Sequence, residues 1–128
     1  MPSLSDDELT KEIMNLHQTV FEKFGYEMKY IRPPKGEYSE RILRLCEKLG
    51  YKTVMWSFGY VDWDEKKQPS EEEGMNKIIQ NLHNGEIMLL HGTSKTNADI
   101  MDKMIKKVIE EGYEFRSIDN FVEGLWEE

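Results

Sequence analysis

Apolar residues along the chain recur with two different periods. Stretches with apolar positions three and four residues apart predict helices, and short apolar runs between them predict strands. The first helical stretch follows Ser5 and Glu8, which form a capping-box pattern, and it stops at Gly25. Its predicted inward stripe consists of Leu9, Ile13, Leu16, Val20 and Phe24.

Four strands are predicted, at residues 28–31, 51–56, 87–90 and 113–117. The run at 87–90 is apolar without alternation, which is typical of a strand covered on both faces. A polar loop is predicted over 59–69, between the second strand and the third helix.

A helix is predicted after each strand. Ser39 caps the second helix, which runs to Leu49, and Ser70 caps the third, with Glu73 as its capping-box partner. The fourth helix covers 97–111. The inward residues of the third helix are Met75, Ile78, Ile79 and Leu82, and a terminal helix runs through Phe121, Val122 and Leu125.

This order of elements predicts an α/β fold. Each helix is long enough to bring the strands it joins into parallel alignment. At 128 residues the chain has the length of one domain, and we expect residues 1–128 to form it. The pattern leaves open whether the parallel strands form an open sheet or part of a barrel.

Composition narrows the class of protein. Hydrophobic residues make up 38% and charged residues 33% of the chain, which is typical of a globular protein rather than a disordered one. The net charge of −8 argues against nucleic acid as a partner, because phosphate binding needs clustered Lys and Arg. The single cysteine, Cys46, lies on an apolar helix face, and we expect it to be buried. We see neither a signal-peptide pattern nor an apolar stretch of the ~20 residues that a membrane span needs.

Residues suited to acid–base chemistry follow three successive strands. Arg32 follows the first, Asp62 and Trp63 follow the second, and His91 closes the third. Sites in parallel α/β folds form at the carboxyl ends of the strands, so these residues predict a functional site.

Each of these residues also has a plainer interpretation. Arg32 could pair with a surface carboxylate, Asp62 could be a solvated loop residue, and His91 could bond a carbonyl in the core. Their convergence favours the functional interpretation. The other histidines are predicted to be structural, with His17 an ordinary helix residue and His83 bonding the last carbonyls of the third helix.

Three motifs resemble those of the polysaccharide deacetylases, the carbohydrate esterases with NodB homology (family four). Residues 32–36 read Arg-Pro-Pro-Lys-Gly and match the family's third motif, Arg-x-Pro-x-Gly. Trp56-Ser57 through Asp62-Trp63 match the fourth, and Leu89-Leu90-His91 match the fifth, Leu-x-His. The resemblance covers about residues 3–121 and is closest to the spore-cortex branch, which deacetylates muramic acid.

The resemblance implies a deformed (β/α) barrel and hydrolysis of N-acetyl groups on the amino sugars of a polysaccharide or peptidoglycan. His91 would be the general acid that protonates the departing amine, and Asp62 would orient its imidazole. Arg32 would pair with the carboxylate of the base. A divalent metal, usually zinc, would be held by an Asp and two His.

The resemblance also implies substrate contacts. The backbone N–H of Lys35 would stabilise the oxyanion, and its ammonium would meet the lactyl carboxylate of muramic acid. Leu89 and Trp63 would wall the pocket for the acetyl methyl group. Family analogy further implies sporulation and a cell-envelope or secreted location.

The chain departs from the family in its first two motifs. Neither Thr-Phe-Asp-Asp nor His-x-x-x-His occurs, so the base and all metal ligands are absent from the sequence. We therefore expect the C-terminal half of a deacetylase domain, with about four of the barrel strands, which is inactive alone. The alternatives are a non-catalytic glycan-binding remnant and an assembly module that self-associates through open strand edges.

Overall fold

A computed structural model describes residues 3–124 of the chain. The chain forms two compact units, Met1–Met55 and Trp56–Glu128. Leu125, expected in the terminal helix, lies outside the described residues.

The first unit contains two helices and two short parallel strands. Tyr30 pairs with Lys52 and Ile31 with Thr53. A buried cluster of Leu9, Ile13, Ile42, Cys46 and Tyr51 forms its core. In chain order the elements are α1 (Asp6–Phe24), β1 (Tyr30–Ile31), a 3₁₀ turn (Pro34–Gly36), α2 (Glu40–Lys48) and β2 (Lys52–Thr53).

The second unit repeats this helix–strand arrangement with its own core. Its strands are also parallel, with Phe58 opposite Met88 and Gly59 opposite Leu89. The core residues are Phe58, Ile78, Ile100, Met104 and Val108. In chain order the elements are β3 (Phe58–Gly59), α3 (Glu71–Gln80), β4 (Met88–Leu89), α4 (Lys95–Glu110) and α5 (Ile118–Gly124).

Serine side chains begin the four longer helices. Ser5 and Glu8 form the predicted reciprocal capping box, with distances of 3.2 and 2.8 Å. Ser39 and Ser70 cap α2 and α3 as predicted. Ser94, which was not predicted, caps α4 by accepting from the N–H of Asn97, so α4 begins two residues earlier than expected.

The parallel α/β character is confirmed, but the predicted strands were too long. The expected strand at 51–56 is divided, because Lys52 and Val54 bond to the segment around β1 while Ser57 bonds to Ile87 before β4. Phe58–Gly59, partly in the predicted loop, is therefore a separate strand. Residues 113–117 form no strand.

Two burial predictions were partly wrong. Residues 87–90 are half-buried rather than covered on both faces. On α1, Leu9 and Ile13 are buried, whereas Leu16 and Phe24 are exposed. The 19-residue α1 is much longer than the nine-residue α2, so its second half extends beyond that helix.

Within residues 3–124, none of the helices has the length and hydropathy that crossing a membrane requires.

Candidate active site

Two of the predicted site residues meet at one edge of the second unit. Because β3 and β4 run parallel with Gly59 opposite Leu89, the segments after them leave the sheet at the same edge. Asp62 lies on the first segment and His91 on the second. The structure brings Asp62 and His91 into direct contact, while their catalytic roles stay a prediction.

Asp62 accepts two hydrogen bonds from His91. The imidazole Nδ1 of His91 lies 2.7 Å from Oδ1, and its backbone N–H lies 2.8 Å from Oδ2. Asp62 has no exposed surface, whereas 34% of the His91 side chain is exposed. Since a carboxylate can only accept, Nδ1 carries a proton in this contact. The opposite nitrogen, Nε2, is hydrogen-bonded to no other residue in the described part of the chain, which suits it to exchange a proton with a bound molecule.

A buried amide completes the surroundings of Asp62. The Nδ2 of Asn97 lies 2.6 Å from Oδ2 of Asp62 and 3.3 Å from the carbonyl oxygen of His91. The hydroxyl of Tyr60 donates to Oδ1 of Asn97. Burial, and secondarily the negative charge of Asp62, raises the pKa of Tyr60, which keeps this hydroxyl protonated. Sequence reasoning missed both Asn97 and Tyr60.

Gln68 ties the loop that carries Asp62 to the start of α4. Its Nε2 donates to the carbonyl oxygens of Asp62 and Asp64, at 2.7 and 2.9 Å. Its Oε1 accepts from the Ser94 hydroxyl at 2.7 Å and from the Thr96 N–H at 3.1 Å. These four bonds hold the loop against the helix terminus. A loop glutamine carries no signal that would have identified it from sequence.

Trp63 and Leu89, predicted to line an acetyl pocket, also belong to the second unit. The Trp63 ring meets the His91 ring edge to face, with centroids 5.8 Å apart, and Trp63 is 55% exposed. Leu89 is half-buried in β4. An exposed indole beside the imidazole gives His91 an apolar neighbour at the surface, as a pocket for a methyl group would need.

Arg32 and Lys35 lie in the first unit, on the segment after β1. Pro33 between them is buried, whereas both basic residues are exposed. Lys35 has a left-handed backbone with φ 58°, and Gly36 follows with φ 70°. A left-handed lysine costs about 1–2 kcal/mol, so this turn stores strain at a motif residue. The participation of Arg32 and Lys35 in a site with residues of the second unit stays a prediction.

The remaining histidines have structural partners. His83 bonds the carbonyl oxygen of Asn81 at the end of α3 as expected, and its Nε2 lies 2.8 Å from the hydroxyl of Ser57. His17 is more than an ordinary helix residue, because its Nδ1 lies 2.6 Å from the Tyr51 hydroxyl. Cys46 is buried as predicted.

The side chains present do not fit a metal site. Between residues 3 and 124, no three His, Cys, Asp or Glu side chains are grouped so that they could hold a metal ion. The Nδ1 of His91 is hydrogen-bonded to the buried carboxylate of Asp62. In the described chain, Asp62 and His91 form a hydrogen-bonded pair.

Comparison with known proteins shows which family this chain resembles. A model of the polysaccharide deacetylase family matches residues 1–54. Peptidoglycan-N-acetylmuramic acid deacetylase PdaA of Bacillus subtilis is 35% identical over 117 residues, covering 91% of this chain and 44% of that protein. An uncharacterised 30.6 kDa protein of Geobacillus stearothermophilus is 42% identical over 95% of this chain and 46% of its own length. The chain is similar to members of the polysaccharide deacetylase family over most of its length.

Solved structures agree with this assignment. The structure of Bacillus subtilis PdaA, a family 4 carbohydrate esterase, matches with a TM-score of 0.88 and 34% identity, covering 94% of this chain and 52% of that one. A pseudoenzyme of the same esterase family from Bacillus anthracis shares the fold, with a TM-score of 0.80 and 22% identity over 88% of this chain and 38% of that one. The chain spans about half the length of the curated relatives it matches.

Proposed function

We propose that this chain provides the general-acid part of a peptidoglycan N-deacetylase site, which is completed by residues that the chain itself does not contain. The contact between buried Asp62 and partly exposed His91 carries the proposal. A histidine whose Nδ1 is held by a carboxylate and whose Nε2 faces outward is arranged to donate a proton. The similarity to PdaA, named as a peptidoglycan deacetylase, supplies the substrate class.

The reaction is the hydrolysis of an acetamide. Water adds to the carbonyl carbon, a base outside the described residues takes its proton, and the C–N bond breaks to give acetate and an amine. His91, as imidazolium, transfers the proton on Nε2 to the departing nitrogen and is left neutral with a proton on Nδ1. Asp62 would accept the hydrogen bond from that Nδ1–H throughout, with Nδ1 2.7 Å from Oδ1.

The remaining roles follow from the family resemblance. In this proposal the two pairs of parallel strands are parts of a deformed (β/α) barrel, of which this chain is the C-terminal half. Arg32 would pair with the catalytic base, and the backbone N–H of Lys35 would bind the oxyanion. A divalent metal, with zinc the choice that the family favours, would be held by residues outside the described part of this chain.

Muramic acid is the amino sugar we favour as substrate. Lys35 is exposed on the turn after β1, and its ammonium would suit the lactyl carboxylate that distinguishes muramic acid from glucosamine. Loss of the preference for muramic acid is expected in Lys35→Ala, when the two sugars are compared in a completed domain. An unchanged preference would contradict this assignment.

A chimera tests the proposed function directly. The region of Bacillus subtilis PdaA that matches this chain is replaced by residues 1–128, and acetate release from peptidoglycan is measured. We expect the chimera to be active and His91→Ala to lower its rate about 10²–10⁴-fold, the usual contribution of a positioned proton donor. His83→Ala is the matched control and should keep most of the activity. Full activity of a folded His91→Ala chimera would refute the proposal.

A second candidate function is glycan binding without chemistry. It is favoured by the absence of a grouped metal-ligand set from residues 3–124. Calorimetric titration of this chain with peptidoglycan fragments tests it. Saturable binding together with no acetate release in the chimera would favour this candidate over the enzyme.

Self-association is the proposed behaviour of the isolated chain. In the described chain β3 and β4 each pair with a single neighbour, and backbone groups at their outer edges could pair with a second copy. Sedimentation velocity at several protein concentrations should then show a sedimentation coefficient that rises with concentration. A constant monomer value across these concentrations would exclude it.

A further inference from the structure

We propose that Asn97 and Tyr60 are positioning residues that act through Asp62 to fix the orientation and tautomer of His91. The inference deepens the proposed function, since it assumes that His91 is the residue that exchanges the proton. Neither Asn97 nor Tyr60 touches the space in front of His91 Nε2 in the described contacts. Their effect would run along one chain of hydrogen bonds from Tyr60 to Asn97, Asp62 and His91.

The neighbours of Asn97 determine which way its amide faces. Two acceptors lie on one side, the Oδ2 of Asp62 at 2.6 Å and the carbonyl oxygen of His91 at 3.3 Å. On the other side lies the Tyr60 hydroxyl, which donates to Oδ1 of Asn97. With Nδ2 toward the acceptors and Oδ1 toward the hydroxyl, each contact is matched, whereas the reversed amide would place Oδ1 against two acceptor oxygens.

A capping role does not explain this asparagine. Ser94 already caps α4 by accepting from the Asn97 N–H at 3.1 Å, and asparagine is a weak helix former. The Asn97 side chain is instead turned inward, and the residue is only 3% exposed. The amide is therefore used for its contacts with Asp62, His91 and Tyr60, because a buried amide without partners is unfavourable.

The hydrogen bonds of Asp62 couple Asn97 to the imidazole. Oδ2 accepts from both Asn97 and the His91 backbone, and this fixes the plane of the carboxylate. Oδ1 is thereby held 2.7 Å from Nδ1 of His91. Loss of the Asn97 donor would free the carboxylate to rotate and weaken the Nδ1 contact. Neutral imidazole in water favours the proton on Nε2, so the loosened histidine should change tautomer.

The test measures the tautomer of His91 in the 128-residue chain. Imidazole ¹⁵N chemical shifts at a pH where His91 is neutral distinguish a proton on Nδ1 from one on Nε2. We expect Nδ1–H in the unmodified chain and a shift toward Nε2–H in both Tyr60→Phe and Asn97→Ala. Tyr113→Phe is the matched control, because Tyr113 packs against the same core cluster without joining the hydrogen-bond chain. Its His91 signals should stay unchanged.

Tyr60→Phe keeps the test decisive if Asn97→Ala fails to fold, because it removes a single oxygen. Backbone amide spectra establish that each variant is folded. His91 remaining fully Nδ1–H in folded Tyr60→Phe would overturn the inference. So would an equal change in Tyr113→Phe, which would mark a general loosening of the core.

Activity in the PdaA chimera separates this inference from the proposed function. Loss of a residue that hydrogen-bonds to a site residue typically lowers activity about 10–100-fold. Asn97→Ala should therefore lower kcat by that factor, with KM little changed. If the tautomer shifts in the variants of the 128-residue chain but His91→Ala does not lower the rate of the chimera, the proposed function is refuted and the positioning role is supported. If the tautomer does not shift but His91→Ala lowers the rate of the chimera, the proposed function is supported and the positioning role is refuted.

Discussion

His91 holds Asp62 through both its ring and its backbone, with Nδ1 2.7 Å from Oδ1 and the backbone N–H 2.8 Å from Oδ2. The two contacts use both oxygens of one carboxylate, so the imidazole cannot turn about its own axis without breaking the bond to Oδ1. The carboxylate is fully buried, and Asn97 supplies a third donor. Three hydrogen bonds to its two oxygens fix the orientation of this carboxylate, and two of them come from the histidine.

Asp62→Asn should destabilise the chain and remove the dyad. The amide nitrogen replaces one of the two acceptor oxygens, so at least one of the three groups that donate to Asp62 faces a donor, at a cost of about 1–3 kcal/mol. Urea unfolding followed by circular dichroism measures the change. Asp64→Asn is the control, since Asp64 is partly exposed and its side-chain contact is to the N–H of Lys66 at 3.0 Å. Equal stability of the two variants would mean that Asp62 is not held as described.

Sequence patterns predicted the helices better than the strands. A capping serine followed by an apolar stripe is a local signal, and the predictions at Ser5, Ser39 and Ser70 were confirmed within a residue or so. The length of a strand depends on how far a partner runs beside it. Lys52 and Ser57 bond to different partner segments, and no local pattern reveals where the pairing changes.

The candidate site was predictable only where a motif lies at a strand end. Asp62 and His91 met because parallel pairing brings the ends of β3 and β4 together. Asn97 was missed because it stands at the predicted start of the fourth helix, where no sequence pattern shows that its side chain is directed inward. Gln68 was missed because its contacts join segments that lie far apart in the sequence.

Glu86 should make stability fall as pH rises. Burial, the larger influence, raises the pKa of this carboxyl above its ordinary value of 4.5, although His83 beside it acts in the other direction. Its Oε1 is buried without a hydrogen bond and lies 3.1 Å from Nδ1 of His83. The folded chain therefore binds the proton more tightly than the unfolded chain, and the stability this confers is lost as pH rises through the raised pKa.

Glu86→Gln removes the titrating group while keeping one carbonyl oxygen in place. We expect this variant to be more stable than the unmodified chain at pH 7 and to lose much of the decline in unfolding free energy above pH 4.5. Glu72→Gln, at an exposed position in the first turn of α3, is the control and should leave the profile nearly parallel to the original. A Glu86→Gln profile that matches the Glu72→Gln profile would count against a desolvated Glu86.

Lys35→Gly should stabilise the chain. Lys35 has φ 58°, a conformation that costs a side-chain-bearing residue about 1–2 kcal/mol, and glycine adopts it freely. Glycine gains freedom in the unfolded chain, so the net effect should be an increase of up to about 1 kcal/mol. Thermal unfolding measures it, and Lys35→Ala is the matched control because it loses the ammonium but keeps the strain. A lower melting temperature for Lys35→Gly than for Lys35→Ala would mean that the turn is not strained.

Cys46 should be unreactive in the folded chain. It is 2% exposed in the core of the first unit, and burial raises the pKa of its thiol, so both access and the reactive thiolate are suppressed. Reaction with a disulfide reagent such as Ellman's should be slow in buffer and complete within the mixing time in concentrated urea. Ile42→Ala, which opens a cavity in the same core cluster, should accelerate the reaction in buffer by destabilising the fold. Rapid stoichiometric labelling of the unmodified chain in buffer would contradict this prediction. It would show that the core formed by Leu9, Ile42 and Cys46 between α1 and α2 opens readily.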